Sequence, residues 1–354
     1  MSLHDVRHTD PNTADAQDMP LTLPEWPTFG WADDMRPAMR AARAAGEVAA
    51  LVTLHTVIGG GPRPPGAQML LSPSVASGFL SGGCVEGDIA IHAARTIEDG
   101  RARHLAYGDG SPWKDIQLLC GARIEILVER VTPDDRAVED LLNAAGTRRP
   151  VQWITDGDAR RIAPSEDVDA PPCAVRAEPF ELRLRYDPVP RLAVIGSDPV
   201  ALAIAALGSQ SGFETTLVRP QGPAAPPPLS NVAYSRASPA EALEALTPDR
   251  WTAIAVATHD WEIDQAALLA ALPSDASYVG VLGAGRRVVD RLDRLRAAGL
   301  DEPSLQRLRA PIGIDLGGKA PWEIAVSVIG EIVAERHAAV SGSVRRAALS
   351  RPPE

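Results

Sequence analysis

Residues 191–212 read RLAVIGSDPVALAIAALGSQSG, and this stretch decides the fold. An apolar run that ends at Gly196 is typical of a buried strand, and a helical run that ends at Gly212 follows it. The same order of strand and helix recurs along the rest of the chain. Because repeated β–α units require a parallel sheet with helices on both faces, the sequence predicts a Rossmann-like doubly wound domain over residues 191–340.

The recurring units are readable one by one. Three further strands are expected, at ETTLVRP (214–220), TAIAVAT (252–258) and SYVGVLG (277–283). Helices are expected at PAEALEAL (239–246), DWEIDQAALLAALP (260–273), RVVDRLDRLRAAG (287–299) and PWEIAVSVIGEIVAERHAAV (321–340). Residues 341–354 are expected to form a loose tail.

The first half of the chain has a different pattern. Between residues 31 and 131, strand-like runs closed by Gly and Pro surround the helical segments DDMRPAMRAARAAG (33–46) and VEGDIAIHAARTIEDG (85–100). This pattern predicts an α+β domain, and so an α/β chain of two domains. Residues 1–30 are expected to be a disordered lead-in, because they are polar and have no signal-peptide core. Residues 132–190 are rich in Arg, Asp and Pro and are expected to form an irregular connector with short strands.

Composition excludes several function classes. The chain has 354 residues and a formal net charge of −11, which argues against a nucleic-acid partner. No apolar run approaches the ~20 residues that span a bilayer, so no membrane association is expected. Three cysteines do not make a disulfide framework or a paired zinc site, and they indicate a cytoplasmic protein with reduced thiols.

The loop after the first strand of the second domain, GSDPVA (196–201), departs from the phosphate-binding pattern of Rossmann domains. Gly196 fits the first glycine, but Asp198 stands at the second glycine position, where a carboxylate repels phosphate. The second strand ends in Arg219 instead of the acid that holds a ribose. The sequence therefore predicts the fold without the usual tight binding of NAD.

Other polar residues follow the strands of the second domain, at the edge where open α/β sheets bind ligands. These candidates are His259, Asp260, Gly283, Arg286, Arg287, Asp315 and Glu323. Two interpretations stay open for most of them. Asp260 is either a helix cap or a site residue, the two arginines either hold an anion or are solvated, and Glu323 alone also suits a first helical turn.

Cys84 draws attention in the first domain. It follows Gly82 and Gly83 and precedes Glu86 where a helix is expected to begin, a place where backbone N–H groups favour a thiolate. Cys120 lies in LLCGAR (118–123), at a second glycine turn, whereas Cys173 has no supporting residues and is expected to be a small buried side chain. Arg63, between prolines in a stiff loop, suits an anionic group.

Five motifs in order resemble the XdhC/CoxI family of accessory proteins for molybdenum hydroxylases, closest to the subgroup that serves CO dehydrogenases and aldehyde oxidoreductases. In the first domain they are PRPPGAQMLLSPSVASGFLSGGCVEGDIAIHAA (62–94) and LCGARIEILVE (119–129). In the second they are ATHDWEIDQAALLAAL (257–272), YVGVLGAGRR (278–287) and PIGIDLGGKAPWEIAVSVIGEIVA (311–334).

The resemblance implies a chaperone that binds the molybdenum cofactor, a molybdopterin with or without a nucleotide such as cytosine, and has no turnover of its own. Sulfuration by a cysteine desulfurase, insertion into the apo large subunit of a molybdenum hydroxylase, contact with a nucleotidyltransferase and a homodimer are implied as well. Residues 31–131 would bind the cofactor, with Cys84 and Cys120 in contact with molybdenum or carrying persulfide. The other residues of this domain that would bind the cofactor are Arg63, Gly82, Gly83 and Glu86. Two alternatives stay open: an NAD(P)-dependent oxidoreductase, and a thiol redox protein that uses Cys84 and Cys120.

Overall fold

The computed structural model describes residues 21–61, 63–108, 118, 121–165, 167, 170–283 and 285–341. The chain divides into two compact units, an N-terminal unit up to Asp187 and a C-terminal unit from Pro188. Among the described helices, none is both long enough and apolar enough to cross a lipid bilayer.

The N-terminal unit is built on a five-stranded antiparallel sheet in the order β3-β2-β1-β5-β4. Its strands are β1 (Ala49–Ile58), β2 (Gln68–Leu71), β3 (Ala76–Gly78), β4 (Arg103–Tyr107) and β5 (Arg123–Val131), and its helices are α1 (Arg36–Ala44), α2 (Glu86–Asp99) and α3 (Arg136–Gly146). Alternate residues of β1 enter different cores. Val52 and Leu54 pack with α2 on one face, and Leu51 packs with α1 and α3 on the other.

Residues 132–190 were expected to form an irregular connector with short strands, but the part up to Asp187 is a folded portion of the N-terminal unit. Besides α3 they form a four-stranded antiparallel sheet in the order β7-β6-β9-β8. The strands are β6 (Val151–Thr155), β7 (Arg160–Pro164), β8 (Cys173–Arg176) and β9 (Glu181–Tyr186). The physical reason is that Trp153, Leu184 and Tyr186 are buried in the same core as Leu51, so this sheet covers the second face of the first sheet.

The expected disordered lead-in also needs correction from residue 21 onward. Leu21 is 7% exposed and belongs to the core beneath α2, and Leu23 packs against the same core. A short 3₁₀ helix, Pro27–Trp31, follows. Leu21, Leu23 and Phe29 anchor this segment to the core, whereas Trp26 and Trp31 are exposed.

The C-terminal unit contains six parallel strands in the order β12-β11-β10-β13-β14-β15. They are β10 (Arg191–Gly196), β11 (Glu214–Val218), β12 (Val232–Ser235), β13 (Thr252–Ala257), β14 (Tyr278–Val281) and β15 (Leu308–Arg309). The helices are α4 (Pro199–Gln210), α5 (Pro239–Leu246), α6 (Trp261–Ala271), α7 (Val288–Ala297), α8 (Glu302–Gln306) and α9 (Pro321–Ser341), and a 3₁₀ turn covers Gly285–Arg287.

Helices cover both faces of this sheet. Leu192 and Val194 pack in a core with α4 and α9, while Ala193 and Ile195 pack in a second core with α5, α6 and α7. The doubly wound parallel sheet predicted from residues 191–212 is therefore confirmed, and its strand order is the Rossmann order. Two edge strands, β12 and β15, were not predicted.

Candidate functional site

The glycine-rich turns of the N-terminal unit meet at one end of its first sheet. Strand register pairs Ile58, the end of β1, with Arg123 at the start of β5, and pairs Tyr107, the end of β4, with Ile124. Strand β3 ends at the same side, because Gly78 pairs with Met69 near the start of β2. This end of the sheet therefore receives the loop with Arg63, the turn at Gly121, and residues 79–85, which we call the cysteine loop.

The cysteine loop is organised around the carboxylate of Glu86, the first residue of α2. Its Oε1 accepts hydrogen bonds from the backbone N–H groups of Leu80 at 3.0 Å and Ser81 at 2.7 Å. Its Oε2 accepts from Ser81 Oγ at 2.5 Å, Gly83 N–H at 2.8 Å and Val85 N–H at 3.3 Å. Glu86 is 3% exposed, so this carboxylate shapes the loop from inside and is not free to bind a ligand.

The electrostatics of Glu86 agree with this geometry. Burial by itself raises the pKa of the carboxyl, but the hydrogen bonds from Ser81 and Leu80 outweigh it and hold the pKa below its usual range. The group is therefore an anion in the folded protein at neutral pH, and five donors compensate for its removal from water.

Cys84 lies at the exposed tip of this loop and is a free thiol. Gly82 and Gly83 before it have φ of +80° and +112°, conformations that glycine adopts readily, and a Cβ at either would meet nothing within 4 Å. The loop thus turns the sulfur outward next to open space. Cys173 differs, because it is half-buried and burial raises its pKa to about 11, as expected of a structural cysteine. Cys120 lies outside the described residues.

Arg63 reaches the same end of the sheet but already has partners. Its guanidinium forms an ion pair with Asp33 and lies over the ring of Phe79, with Cζ 4.8 Å from the ring centroid. Phe79 begins the cysteine loop and also contacts the backbone of Gly30, where a Cβ would lie 3.2 Å from the ring. Arg63 therefore fixes the 3₁₀ helix and the loop to one another, a role for which Asp33 and Phe79 were not predicted.

A second polar group lies behind the first turn of α2. Tyr107 donates a hydrogen bond to Asp88 Oδ2 at 2.6 Å, and His92 Nε2 lies 3.6 Å from the same oxygen. Tyr107 is fully buried, and burial together with Asp88 raises the pKa of its hydroxyl. These contacts tie α2 to β4. Among the described residues, no group of three or more His, Cys, Asp or Glu side chains could hold a metal ion.

The loop after β10 of the C-terminal unit carries a carboxylate at the place where Rossmann domains hold phosphate. Asp198 Oδ1 accepts the N–H of Ala201 at 2.8 Å and caps α4, and Oδ2 lies 3.0 Å from His259 Nε2. The parallel register, which pairs Gly196 with Ala257, brings these distant residues together. At Gly196 a Cβ would lie 2.1 Å from the oxygen of Ala257, so glycine allows the close approach of the two strands.

The other candidates of this unit lie along the same edge of its sheet. Asp260 is the N-cap of α6 and accepts the N–H groups of Glu262 and Ile263 at 2.8 and 3.2 Å, which favours the cap interpretation. Asp315, in an exposed loop, accepts the N–H of Gly317 at 3.1 Å. Glu323 Oε2 accepts the N–H of Ala320 at 2.9 Å at the start of α9.

The glycine turn after β14 leads into an arginine cluster that the sequence revealed only in part. Gly283 and Arg287 are in place there, and the side chain of Arg286 lies outside what the structure describes. Arg287, Arg291 and Arg294 surround the indole of Trp261, with Cζ atoms 5.7, 5.2 and 4.8 Å from its centroid. The overlooked signal was the spacing in RRVVDRLDRLR (286–296), which places three arginines on one face of a helix.

Comparison with known proteins places the chain in a family. Two sequence models match, the XdhC Rossmann domain over residues 192–332 and the XdhC and CoxI family over residues 42–108. The chain is 31% identical over 315 residues to the molybdenum cofactor insertion chaperone PaoD of Escherichia coli, covering 86% of this chain and 89% of the relative.

Two further similarities agree. The chain is 26% identical over 321 residues to a probable xanthine dehydrogenase subunit of Bacillus subtilis, covering 82% of this chain and 94% of that protein. A crystal structure of a xanthine dehydrogenase from Bacillus halodurans, 21% identical, superposes with a TM-score of 0.69 over 88% of this chain and 98% of the other, which establishes the common fold. On these matches, the chain belongs to the XdhC and CoxI family.

Proposed function

We propose that this protein is a carrier in the maturation of molybdenum enzymes and that it binds the molybdenum cofactor at the cysteine loop. The observation that carries the proposal is the exposed thiol of Cys84, held at the tip of a loop that Glu86 fixes from below. Thiolate sulfur is a soft ligand that suits a molybdenum centre with sulfur ligands. The residues at this end of the sheet thus fit the cofactor as cargo.

Space and backbone geometry support the same assignment. A Cβ at Gly82, Gly83 or Gly87 would meet nothing within 4 Å, so the backbone on both sides of Cys84 is open among the described residues. Cys84 stands directly before the first turn of α2, in the loop whose backbone Glu86 holds by hydrogen bonds. Cys84 is therefore the residue we assign to the metal end of the cofactor.

The relative in Escherichia coli carries the name of a molybdenum cofactor insertion chaperone, and the proposal extends that role to this chain. In the extended role, the protein holds the cofactor while a cysteine desulfurase supplies sulfur, and then passes it to the apo large subunit of a molybdenum hydroxylase. The cytosine dinucleotide is the form we propose for the cargo. We also propose that the protein acts as a homodimer and performs no turnover of its own.

The test is the molybdenum and pterin content of the full chain, purified without oxygen from cells that make the cofactor. Wild-type protein should retain pterin in near-equimolar amount, and Cys84→Ala should retain little. Cys173→Ala is the matched control, because it removes a thiol that lies in β8 against the core. It should keep the wild-type content.

Each other outcome contradicts a stated part of the proposal. No pterin in folded wild-type protein from cells with active cofactor synthesis would remove the carrier role. Equal retention by wild type and Cys84→Ala would remove Cys84 from the binding site. Equal loss in Cys84→Ala and Cys173→Ala would show that the thiols act through stability instead of ligation.

A further inference from the structure

The phosphate position of an ordinary Rossmann sheet is already filled in this protein. The carboxylate of Asp198 caps α4 and contacts His259, so a negative charge occupies the helix N-terminus where a diphosphate binds in other such domains. A second anion at that place would meet repulsion from Asp198. If the C-terminal unit binds a phosphate group, the site must lie elsewhere along the edge.

Helix α7, two strands away from β10, offers the missing features. It has ten residues, follows the glycine turn after β14, and has Arg287 as its N-cap without any side-chain hydrogen bond to its first amides. A Cβ at Gly285 would meet nothing within 4 Å. The N-terminus of α7 is thus entered through the 3₁₀ turn Gly285–Arg287 and has no side-chain cap.

Three guanidinium groups lie beside this helix end. Arg287, Arg291 and Arg294 surround Trp261, and we call this set the arginine face. One carboxylate, Asp264, pairs with Arg291 at 2.7 Å, whereas Arg287 and Arg294 have no carboxylate within 4.0 Å among the described residues. Asp290, exposed in the first turn of α7, is the other acid on this helix end. Two of the three guanidinium groups of the arginine face, those of Arg287 and Arg294, are therefore without an ion pair among the described residues.

Arg291 gives an independent indication of a ligand. Its side chain is 6% exposed, its Nη2 donates to Asp264, and its Nε has no hydrogen-bond partner among the described residues. Its Nη1 lies 3.2 Å from the position of a Cβ at Gly283, so the guanidinium is directed at the glycine turn. A small cleft between α6 and α7 is lined by Trp261, Gln265, Leu295 and the ion pair of Arg291 with Asp264, beside Arg294. A phosphate oxygen held at the glycine turn would give Nη1 of this guanidinium an acceptor.

We propose that the N-terminus of α7 and the arginine face bind the phosphate groups of a nucleotide diphosphate, so that the anion site of this sheet lies after β14 instead of after β10. Planar guanidinium groups donate in pairs to phosphate oxygens, and cation–π contacts with Trp261 gather the three arginines on one face. That this ligand is the phosphate-bearing end of the carried cofactor rests on the proposed function. The anion site itself is argued only from the residues around α7 and does not rest on the proposed function.

Calorimetric titration of the full chain with inorganic pyrophosphate tests the site. Titrations with cytidine diphosphate and with cytidine then show whether binding requires the phosphates or the nucleoside. Wild-type protein should bind both phosphate compounds saturably and cytidine not at all. Arg287→Gln and Arg294→Gln should each weaken binding about tenfold. Both side chains are exposed, and Arg294→Lys, which keeps the charge without the planar fork, should bind with intermediate affinity.

Two controls make the result decisive. Arg250→Gln removes another arginine that lies over a tryptophan, since its Cζ is 5.7 Å from the ring centroid of Trp251. Trp251 precedes the amino end of β13, whereas the proposed site lies at the carboxyl ends of the strands, so this variant should bind the phosphate compounds like wild type. Asp198→Asn should change the affinity less than about twofold, because its carboxylate lies at another helix end. Absence of saturable binding, equal weakening in Arg250→Gln, or a larger effect of Asp198→Asn than of the arginine variants would overturn the proposal. None of these results depends on whether Cys84 holds the cofactor.

Discussion

Replacing Glu86 with glutamine changes one oxygen into an NH₂ group and so tests the centre of the cysteine loop. If the amide oxygen takes the place of Oε1, it still accepts from Leu80 and Ser81, but the NH₂ then faces the N–H of Gly83. Val85 N–H keeps its bond to Ser81 Oγ at 3.0 Å. The opposite orientation leaves both Leu80 and Ser81 without an acceptor, so the first is preferred.

The expected cost follows from that count. The backbone N–H of Gly83 loses its acceptor and faces the NH₂ group of the glutamine, which is another donor. A buried donor without a partner costs about 1–3 kcal/mol. We therefore expect Glu86→Gln to lower the free energy of unfolding of the N-terminal unit by about 2 kcal/mol. For a unit of this size, that corresponds to a fall in Tm of roughly 4–8 °C.

Thermal unfolding followed by circular dichroism measures the effect, with Glu98→Gln as the matched control, because Glu98 is exposed on the same helix. The control should stay within about 0.5 kcal/mol of wild type. The pKa of Glu86 is lowered in the folded state, so its stabilisation is present above the usual pKa of 4.5 and is lost as pH falls through the folded-state pKa. The difference between wild type and Glu86→Gln should shrink on acidification.

A Tm for Glu86→Gln equal to that of Glu98→Gln at pH 7 would refute this reasoning. So would a difference that stays constant from pH 7 down to the acid unfolding of the wild type. In either case the carboxylate would not be the group that holds the loop, and the exposed position of Cys84 would need another cause.

Two further substitutions probe the N-terminal unit. Burial raises the pKa of Glu129 from 4.5 to about 7 despite the nearby Arg160, so the stability it contributes is present below pH 4.5 and is lost as pH rises through 7, by about 3 kcal/mol. Urea unfolding at pH 5 and at pH 8 measures this loss of stability, and Glu129→Gln should abolish the difference between the two pH values. A difference as large as in wild type would show that Glu129 is not its source. At Gly108, with φ +92°, an added Cβ would lie 2.0 Å from the oxygen of Ala122. Gly108→Ala should therefore cost about 3 kcal/mol or more, whereas Gly146→Ala, in open space at the end of α3, should leave Tm unchanged or slightly raised; similar Tm values for the two would contradict the clash.

The fold of the C-terminal unit was predictable because its central strands are buried on both faces. Such strands appear in the sequence as continuous apolar runs, as in TAIAVA of β13, where all six residues are buried. The edge strand β12 is half-exposed and β15 has two residues, so neither gives such a run. In β9, buried Leu182 and Leu184 alternate with arginines, and the high arginine content of the segment concealed that alternation.

Those features of the candidate site were predictable that depend only on the residues of a single turn. Cys84 after two glycines is such a case, because a positive φ and an exposed side chain follow from local sequence. The pairing of Asp198 with His259 depends on the register between β10 and β13, and the ion pair of Arg63 with Asp33 depends on how the 3₁₀ helix meets β3. Contacts of this kind arise from the tertiary fold, so a single sequence does not contain them in readable form.

The hydrogen bonds around Glu86 have a consequence for how the protein reaches its folded state. Each of them joins residues no more than six positions apart. Contacts between near neighbours form without the entropic cost of closing a long chain segment, so the turn can take shape as soon as α2 begins to form. The central pairing of β1 with β5 joins residues as far apart as Ile58 and Arg123 and so closes a much longer segment. The hydrogen bonds of the thiol-bearing turn thus come from its own residues, while Phe79, Leu80 and Val85 attach it to the rest of the unit.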